Sequence, residues 1–191
     1  MSNNDCKIEV HPLQPFLPEK TKVLFLGSFP PPKERWSMNF FYPNFQNDMW
    51  RIMGKIFYNN KQYFDILEEK KYNYESIVEF CIEHNFAFFD MAYKVKRLKG
   101  NASDKFLEVI EITDIEKLLS KIPFCNTVIT TGEKSTELFA QKMQCKKPKV
   151  GEFVSLRLDE RNLKFYRMPS SSRAYPLSLE KKAEFYKLAL I

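Results

Sequence analysis

Two short loop sequences, far apart along the chain, hold the side chains best suited to chemistry. The first begins with Gly27-Ser28-Phe29-Pro30 after an apolar run, and continues through Phe41, Tyr42 and Asn47 to Trp50. Gly27 lets a ligand approach the main chain closely, and Pro30, Pro31 and Pro32 make a rigid, donor-poor wall suited to a flat group. Phe41 and Tyr42 offer flat faces on which a base can stack, an interaction of roughly 1–3 kcal/mol per base in nucleic-acid complexes. The Asn47 amide both donates and accepts, so it suits reading a base edge or holding a water. Plainer roles exist for each of these residues. Gly-Ser-Phe-Pro can be a simple turn, the aromatics can be core, and Asn47 can cap a helix starting near Asp48.

The second loop sequence is Met168-Pro169-Ser170-Ser171-Ser172-Arg173, with Tyr175 just beyond. Three short hydroxyls and their backbone N–H groups suit phosphate oxygens, and Arg173 adds a cation. The same residues also suit a polar turn before a last helix capped by Ser178. Asp104 ends the stretch Gly100–Asp104, whose residue types are common in surface turns.

These loops need strands to place them. Val23–Leu26, Phe86–Phe89, Thr127–Thr130 and Leu163–Met168 read as short strands buried on both faces. Helical spacing lies between them, in Met49, Trp50, Met53, Ile56 and Phe57, then in Ile77, Val78, Cys81 and Ile82. A capping box at Thr113–Glu116 starts another helix, and Leu179, Ala183, Tyr186 and Leu190 form a final stripe. Strands alternating with helices predict a single three-layer αβα domain over residues 1–191, with a central, mostly parallel four-stranded sheet. Glu152–Arg157 reads as an added hairpin arm. In such folds ligands bind at the carboxyl ends of the strands, where both loops fall.

Composition narrows the partners. The chain has 191 residues, 44% hydrophobic and 15% aromatic, which argues against disorder, and its net charge of +6 suits a polyanion. Lys94, Lys96, Arg97 and Lys99 form one basic run and Lys142, Lys146, Lys147 and Lys149 another; either can be a solvated face. The four cysteines are widely spaced, so no zinc ribbon and no metal is expected. Neither histidine accompanies a nucleophile motif, and phosphate-binding glycine loops are missing. No segment approaches about 18 unbroken apolar residues, so no membrane partner is expected, and the absence of a targeting segment suggests a cytoplasmic protein.

The two loop sequences resemble the signature loops of the uracil-DNA glycosylase superfamily, enzymes that cut damaged bases from DNA. A Gly-x-x-Pro loop followed by an aromatic and a Pro-x-Asn-x-Phe-Trp-like run marks its mismatch-specific and hypoxanthine-directed branches. Aligned on Trp50, Asn47 falls on the family Asn and Tyr42 on the aromatic that stacks on the extruded base. His11-Pro12 and Gly-Ser-Phe-Pro look most like the hypoxanthine-DNA glycosylase branch. Met168–Arg173 is similar to the second motif of the thymine-DNA glycosylase relatives, a loop that pinches the backbone while a bulky side chain fills the gap. Gly100–Asp104 resembles a Gly-Ser-x-Asp-like stretch at the same place in the family, which implies a role for Asp104 in holding a loop or orienting water. The chain departs from the pattern at Phe45, where that branch has Pro, and at Met49, where it has Phe. Phe29 stands where mismatch-specific relatives carry a catalytic Asn, and a side chain like this cannot position water.

The resemblance implies a monofunctional, cofactor-free, monomeric glycosylase acting on deaminated bases, hypoxanthine or uracil, in double- or single-stranded DNA. Asn47 would be its catalytic group. Gly27, Ser28, Phe29, Pro30, Phe41 and Tyr42 would bind the base, while Ser170, Ser171, Ser172, Arg173 and Tyr175 would grip DNA, with Arg173 or Tyr175 as the wedge. Phe29 also leaves open a protein of this fold that binds lesions without cutting them, and an unrelated α/β enzyme on a small nucleotide is a third reading.

Overall fold

The computed structural model describes residues 7–98 and 104–191. In chain order these form β1 (Ile8–Val10), β2 (Val23–Gly27), α1 (Met49–Tyr58), β3 (Asp65–Ile66), β4 (Lys71–Tyr72), α2 (Tyr74–Glu83), β5 (Phe86–Asp90), β6 (Ala92–Arg97), β7 (Leu107–Ile112), α3 (Ile115–Ser120), β8 (Thr127–Thr131), α4 (Glu133–Lys142), β9 (Phe153–Leu158), β10 (Arg161–Met168) and α5 (Leu179–Leu190).

The main sheet has the order β5-β2-β8-β10-β9. All four expected strands are present and run parallel to their neighbours, but the sheet has five strands and is mixed. The fifth is the hairpin arm: β9 turns at Asp159-Glu160 and pairs antiparallel along the outer edge of β10. Its alternating exposure marks a strand with one wet face, whereas every residue of β2, β5 and β8 is buried. That full burial requires cover on both faces, which is why these strands read as continuous apolar runs. A second sheet, β1-β6-β7, was not read from the sequence, because its strands are short and rich in lysine and glutamate, residues depleted in strands.

Aromatic packing fills the centre. Phe25 and Phe88 stack at 4.8 Å between centroids, and Trp50 meets Phe88 at 5.4 Å, fastening α1 to the sheet. Trp50 is fully buried, and its indole N–H donates to the carbonyl of Phe41, 3.1 Å away, so the apolar face of α1 also fixes the loop before it. The helix predicted after the capping box begins one residue later than that pattern requires. Asp114 is its cap, accepting from the Lys117 N–H at 3.2 Å, and Thr113 instead donates its hydroxyl to the Asp90 carbonyl at 2.7 Å.

The candidate active-site cleft

Because β2, β5, β8 and β10 are parallel, their carboxyl ends Gly27, Asp90, Thr131 and Met168 come out at one edge of the sheet. The two loops meet there around a cavity of about 650 Å³. Gly27, Ser28, Phe29, Pro30, Phe41, Tyr42, Asn47, Asp104, Ser170, Ser171, Ser172 and Tyr175 all line it, while Arg173 does not. The loops are joined through the main chain as well as sharing a space. The Asp48 N–H donates to the Ser171 carbonyl at 2.9 Å, and Asn47 bridges to Ser172.

Gly27 is required here by close approach. A Cβ on it would lie 2.3 Å from Asp90 Oδ1 and 3.3 Å from the Tyr42 hydroxyl. Asp90, which sequence reasoning passed over, thus forms the cavity floor together with Gly27. Its Oδ2 lies 2.9 Å from His11 Nε2, and both side chains are buried. His11 Nδ1 lies 2.9 Å from the Leu13 carbonyl and 3.2 Å from the Leu13 N–H, contacts that hold the ring with Nε2 facing Asp90. The available signal for Asp90 was its place, a carboxylate directly after a wholly apolar run at the edge where ligands bind.

Tyr42 has φ of 51°, left-handed backbone that is uncommon outside glycine and costly for a bulky residue. Such outliers gather at functional sites. Its hydroxyl shares a 2.7 Å hydrogen bond with Thr131 Oγ1 at the cavity base, and burial, with nearby Tyr186 and Asp90, holds it protonated well above the ordinary tyrosine range. The ring itself is half-buried and lines the cavity. Phe41 is different: it packs against His11, Phe88 and Phe89 and is a core side chain.

Phe29 also turns inward, to Ala92, Val95 and Leu107, with the Arg97 guanidinium 5.4 Å over its ring. Arg97 donates to the Pro30 carbonyl at 2.6 Å and Trp36 to the Pro31 carbonyl at 2.7 Å, so the proline wall is held from behind. Ser28 donates its hydroxyl to Asp104 Oδ2 at 2.8 Å. Desolvation, then that bond acting against it, then repulsion from Asp90 set the Asp104 carboxyl, with a net shift upward. The residue as a whole stays exposed, so water opposes that shift. The rest of the Gly100–Asp104 stretch lies outside the described residues, as does Lys99.

Asn47 lines the cavity and also meets the start of α1. Its Oδ1 accepts from the Met49 N–H at 2.9 Å, although the capping position itself is Asp48, whose side chain makes no capping bond. A backbone N–H can only donate, so Oδ1 is the acceptor there and the two amide N–H donors have no part in that bond. Its carbonyl is gripped by the Tyr72 hydroxyl at 2.5 Å and by Arg51. Arg51 is buried, pairs with Asp65 at 2.9 Å and also donates to the Phe45 carbonyl at 2.7 Å. This buried cluster holds Asn47 from below. Phe45 lies under it, 4.4 Å from the guanidinium, a use of an aromatic at that position that no proline could make.

The serine loop spends much of its bonding on itself. Ser170 Oγ accepts from the Ser172 N–H at 3.2 Å and Ser172 Oγ from the Ala174 N–H at 3.3 Å, while Ser171 is buried. These hydroxyls therefore shape the turn and use donors that the sequence offered to phosphate. Ser178 caps α5 as expected. Arg173 Nε donates to Asp48 Oδ1 at 2.9 Å with its side chain about half exposed.

A sheet covered on both faces, with a cavity at its carboxyl edge walled by loops from two of its strands, defines an α/β fold of the ligand-binding kind. No family model matches the chain, and no curated protein matches it. Solved structures do match its fold. One is the solution NMR structure of a protein from Methanosarcina acetivorans titled a "putative uracil DNA glycosylase", with a TM-score of 0.63 and 23% identity over 95% of this chain and 99% of that one. At that identity the likeness shows the fold, which is the fold of that structure across nearly the whole of both chains.

Proposed function

We propose that the chain is a monofunctional DNA glycosylase that removes deaminated bases, hypoxanthine or uracil, by hydrolysis of the N-glycosidic bond. The observation that carries this reading is the junction of the two loops around one cavity that Asn47 lines, with its carbonyl held by Tyr72 and Arg51. The fold shared with the Methanosarcina protein supports it. The cavity is large enough for an extruded nucleotide.

In this reading the base enters between Tyr42 and the proline wall, and Asn47 donates to an oxygen of the base or holds the attacking water. The glycosidic bond breaks with negative charge gathering on the leaving base. A donor that is already oriented lowers that barrier because it need not reorganise as the charge develops. Asp90, oriented by His11, supplies a fixed acceptor at the floor. Lys105 lines the cavity, and no sequence motif marks it as a Schiff-base nucleophile. DNA is the partner proposed, and no helix among the described residues is long and apolar enough to cross a membrane.

The test uses labelled duplexes and single strands with one uracil, hypoxanthine or xanthine, incubated with excess protein and then treated with alkali. Strand cleavage at one lesion establishes the activity and names the base. Lesion binding without cleavage favours a silent reader of the same fold, for which the inward-facing Phe29 is the specific observation. Arg173 provides a separate check on the DNA grip. Arg173→Ala weakens binding to all sequences alike and makes the dependence of log K on log salt shallower by about one. An unchanged slope means that Arg173 makes no phosphate contact.

A further inference from the structure

Lys182 lies on the inner face of α5, with Leu179 three residues before it and Tyr186 four after. Its side chain is 1% exposed. A buried ammonium gives up its hydration and is retained only where partners replace it. Lys182 has two, one from each loop of the cleft: Nζ donates to Asp48 Oδ2 at 3.0 Å and to the Ser172 carbonyl at 2.8 Å. Asp48 follows Asn47 directly, and its own N–H donates to Ser171 across the same junction. Tyr186, one turn further along α5, donates to the Pro169 carbonyl at 3.0 Å. One face of α5 therefore holds both loops by their polar groups.

We propose that Lys182 is the positioning residue of the cleft: its ammonium fastens the Asn47 loop to the serine loop, and so sets the distance between Asn47 and the DNA-gripping main chain. The same pair gives Arg173 its freedom. Asp48 is buried and would be left uncompensated if Arg173 were its sole cation, whereas with Lys182 in place the exposed guanidinium can leave for a phosphate. Apolar residues of similar volume commonly replace a buried ion pair with little loss of stability, so the pair's value here is geometric. The catalytic part of this role rests on the glycosylase reading; the docking part does not.

The experiment compares Lys182→Met, and the charge-free pair Asp48→Asn with Lys182→Met, against the full-length parent chain. Amide hydrogen exchange is measured first, because the Asp48 N–H crosses the junction. In both variants it exchanges faster by about 5–150-fold, the range of ordinary coupling between sites, while the amides of β2 and β8 keep their protection. Single-turnover release of the lesion base then falls on the order of 10²-fold, with affinity for lesion duplex changing far less, the result expected when a group is misplaced by about an ångström. Lys182→Arg, which can reach both acceptors, recovers part of the rate.

Unchanged Asp48 protection in folded variants overturns the proposal, and so does a parental rate of base release. If neither variant folds, the pair serves the fold and the proposal falls. If the parent releases no base but Asp48 protection is lost as expected, the glycosylase reading fails and the docking role stands.

Discussion

Asn47→Ala lowers the single-turnover rate of base release by about 10²–10³, the usual cost of removing one oriented donor from a site where charge develops. Affinity for lesion duplex changes little, because the loops and the serine turn remain. The geometry sharpens this expectation. Oδ1 is committed to the Met49 N–H at 2.9 Å, so the N–H donors are the working part of the side chain. Asn47→Asp keeps an acceptor for the Met49 N–H and replaces those donors with a second acceptor. It therefore loses as much activity as alanine while keeping the contact at the start of α1. If the alanine variant releases base at the parental rate, Asn47 serves the turn before α1 and the chemistry lies elsewhere in the cleft. Asp90 is then the first alternative, since it shares the cavity and is held by His11.

Gly27→Ala destabilises the fold by about 1–3 kcal/mol, the ordinary cost of forcing a methyl into a packed site, and abolishes base release. The new Cβ would stand 2.3 Å from Asp90 Oδ1. Asp90 has little room to yield, because it is 6% exposed, its Oδ2 is held by His11 and its carbonyl is held by Thr113. Denaturant unfolding read beside the excision assay separates the two effects. A variant with parental stability and activity would show that the β2–β5 edge opens freely, and that Asp90 does not form the cavity floor. The same crowding explains why glycine stands at this strand end, although its backbone angles would suit other residues.

The legible part of the site was set by residue type and by the edge rule for parallel sheets. Gly27, the prolines and the serine loop could be named because each follows an apolar run, and parallel strands deliver their carboxyl ends to one place; Asn47 was named from its amide and its spacing from Trp50. The illegible part involves partners brought from a distance. Arg51, Asp65 and Tyr72 hold Asn47, yet Asp65 and Tyr72 lie 14 and 21 residues beyond Arg51, in segments with no motif. His11 and Asp90 are 79 residues apart, and Asp48 and Lys182 are 134 apart. Phe41 and Phe29 show the same limit from the other side: an aromatic near a cleft reads equally as a stacking face or as core, and only packing decides.

The sequence by itself determined the four parallel strands, three of the four helices between them and the edge where two loops must meet, because burial on both faces and helical periodicity are local patterns. The tertiary structure decided α4, the pairing of the hairpin arm as a fifth strand, the second sheet, the Asp90–His11 floor and the inward turn of Phe29. It also decided which atoms of Asn47 and of the serines are already spent. Those outcomes depend on which polar groups find partners after the chain has closed, and buried hydrogen bonds and ion pairs are made between residues that no spacing rule connects.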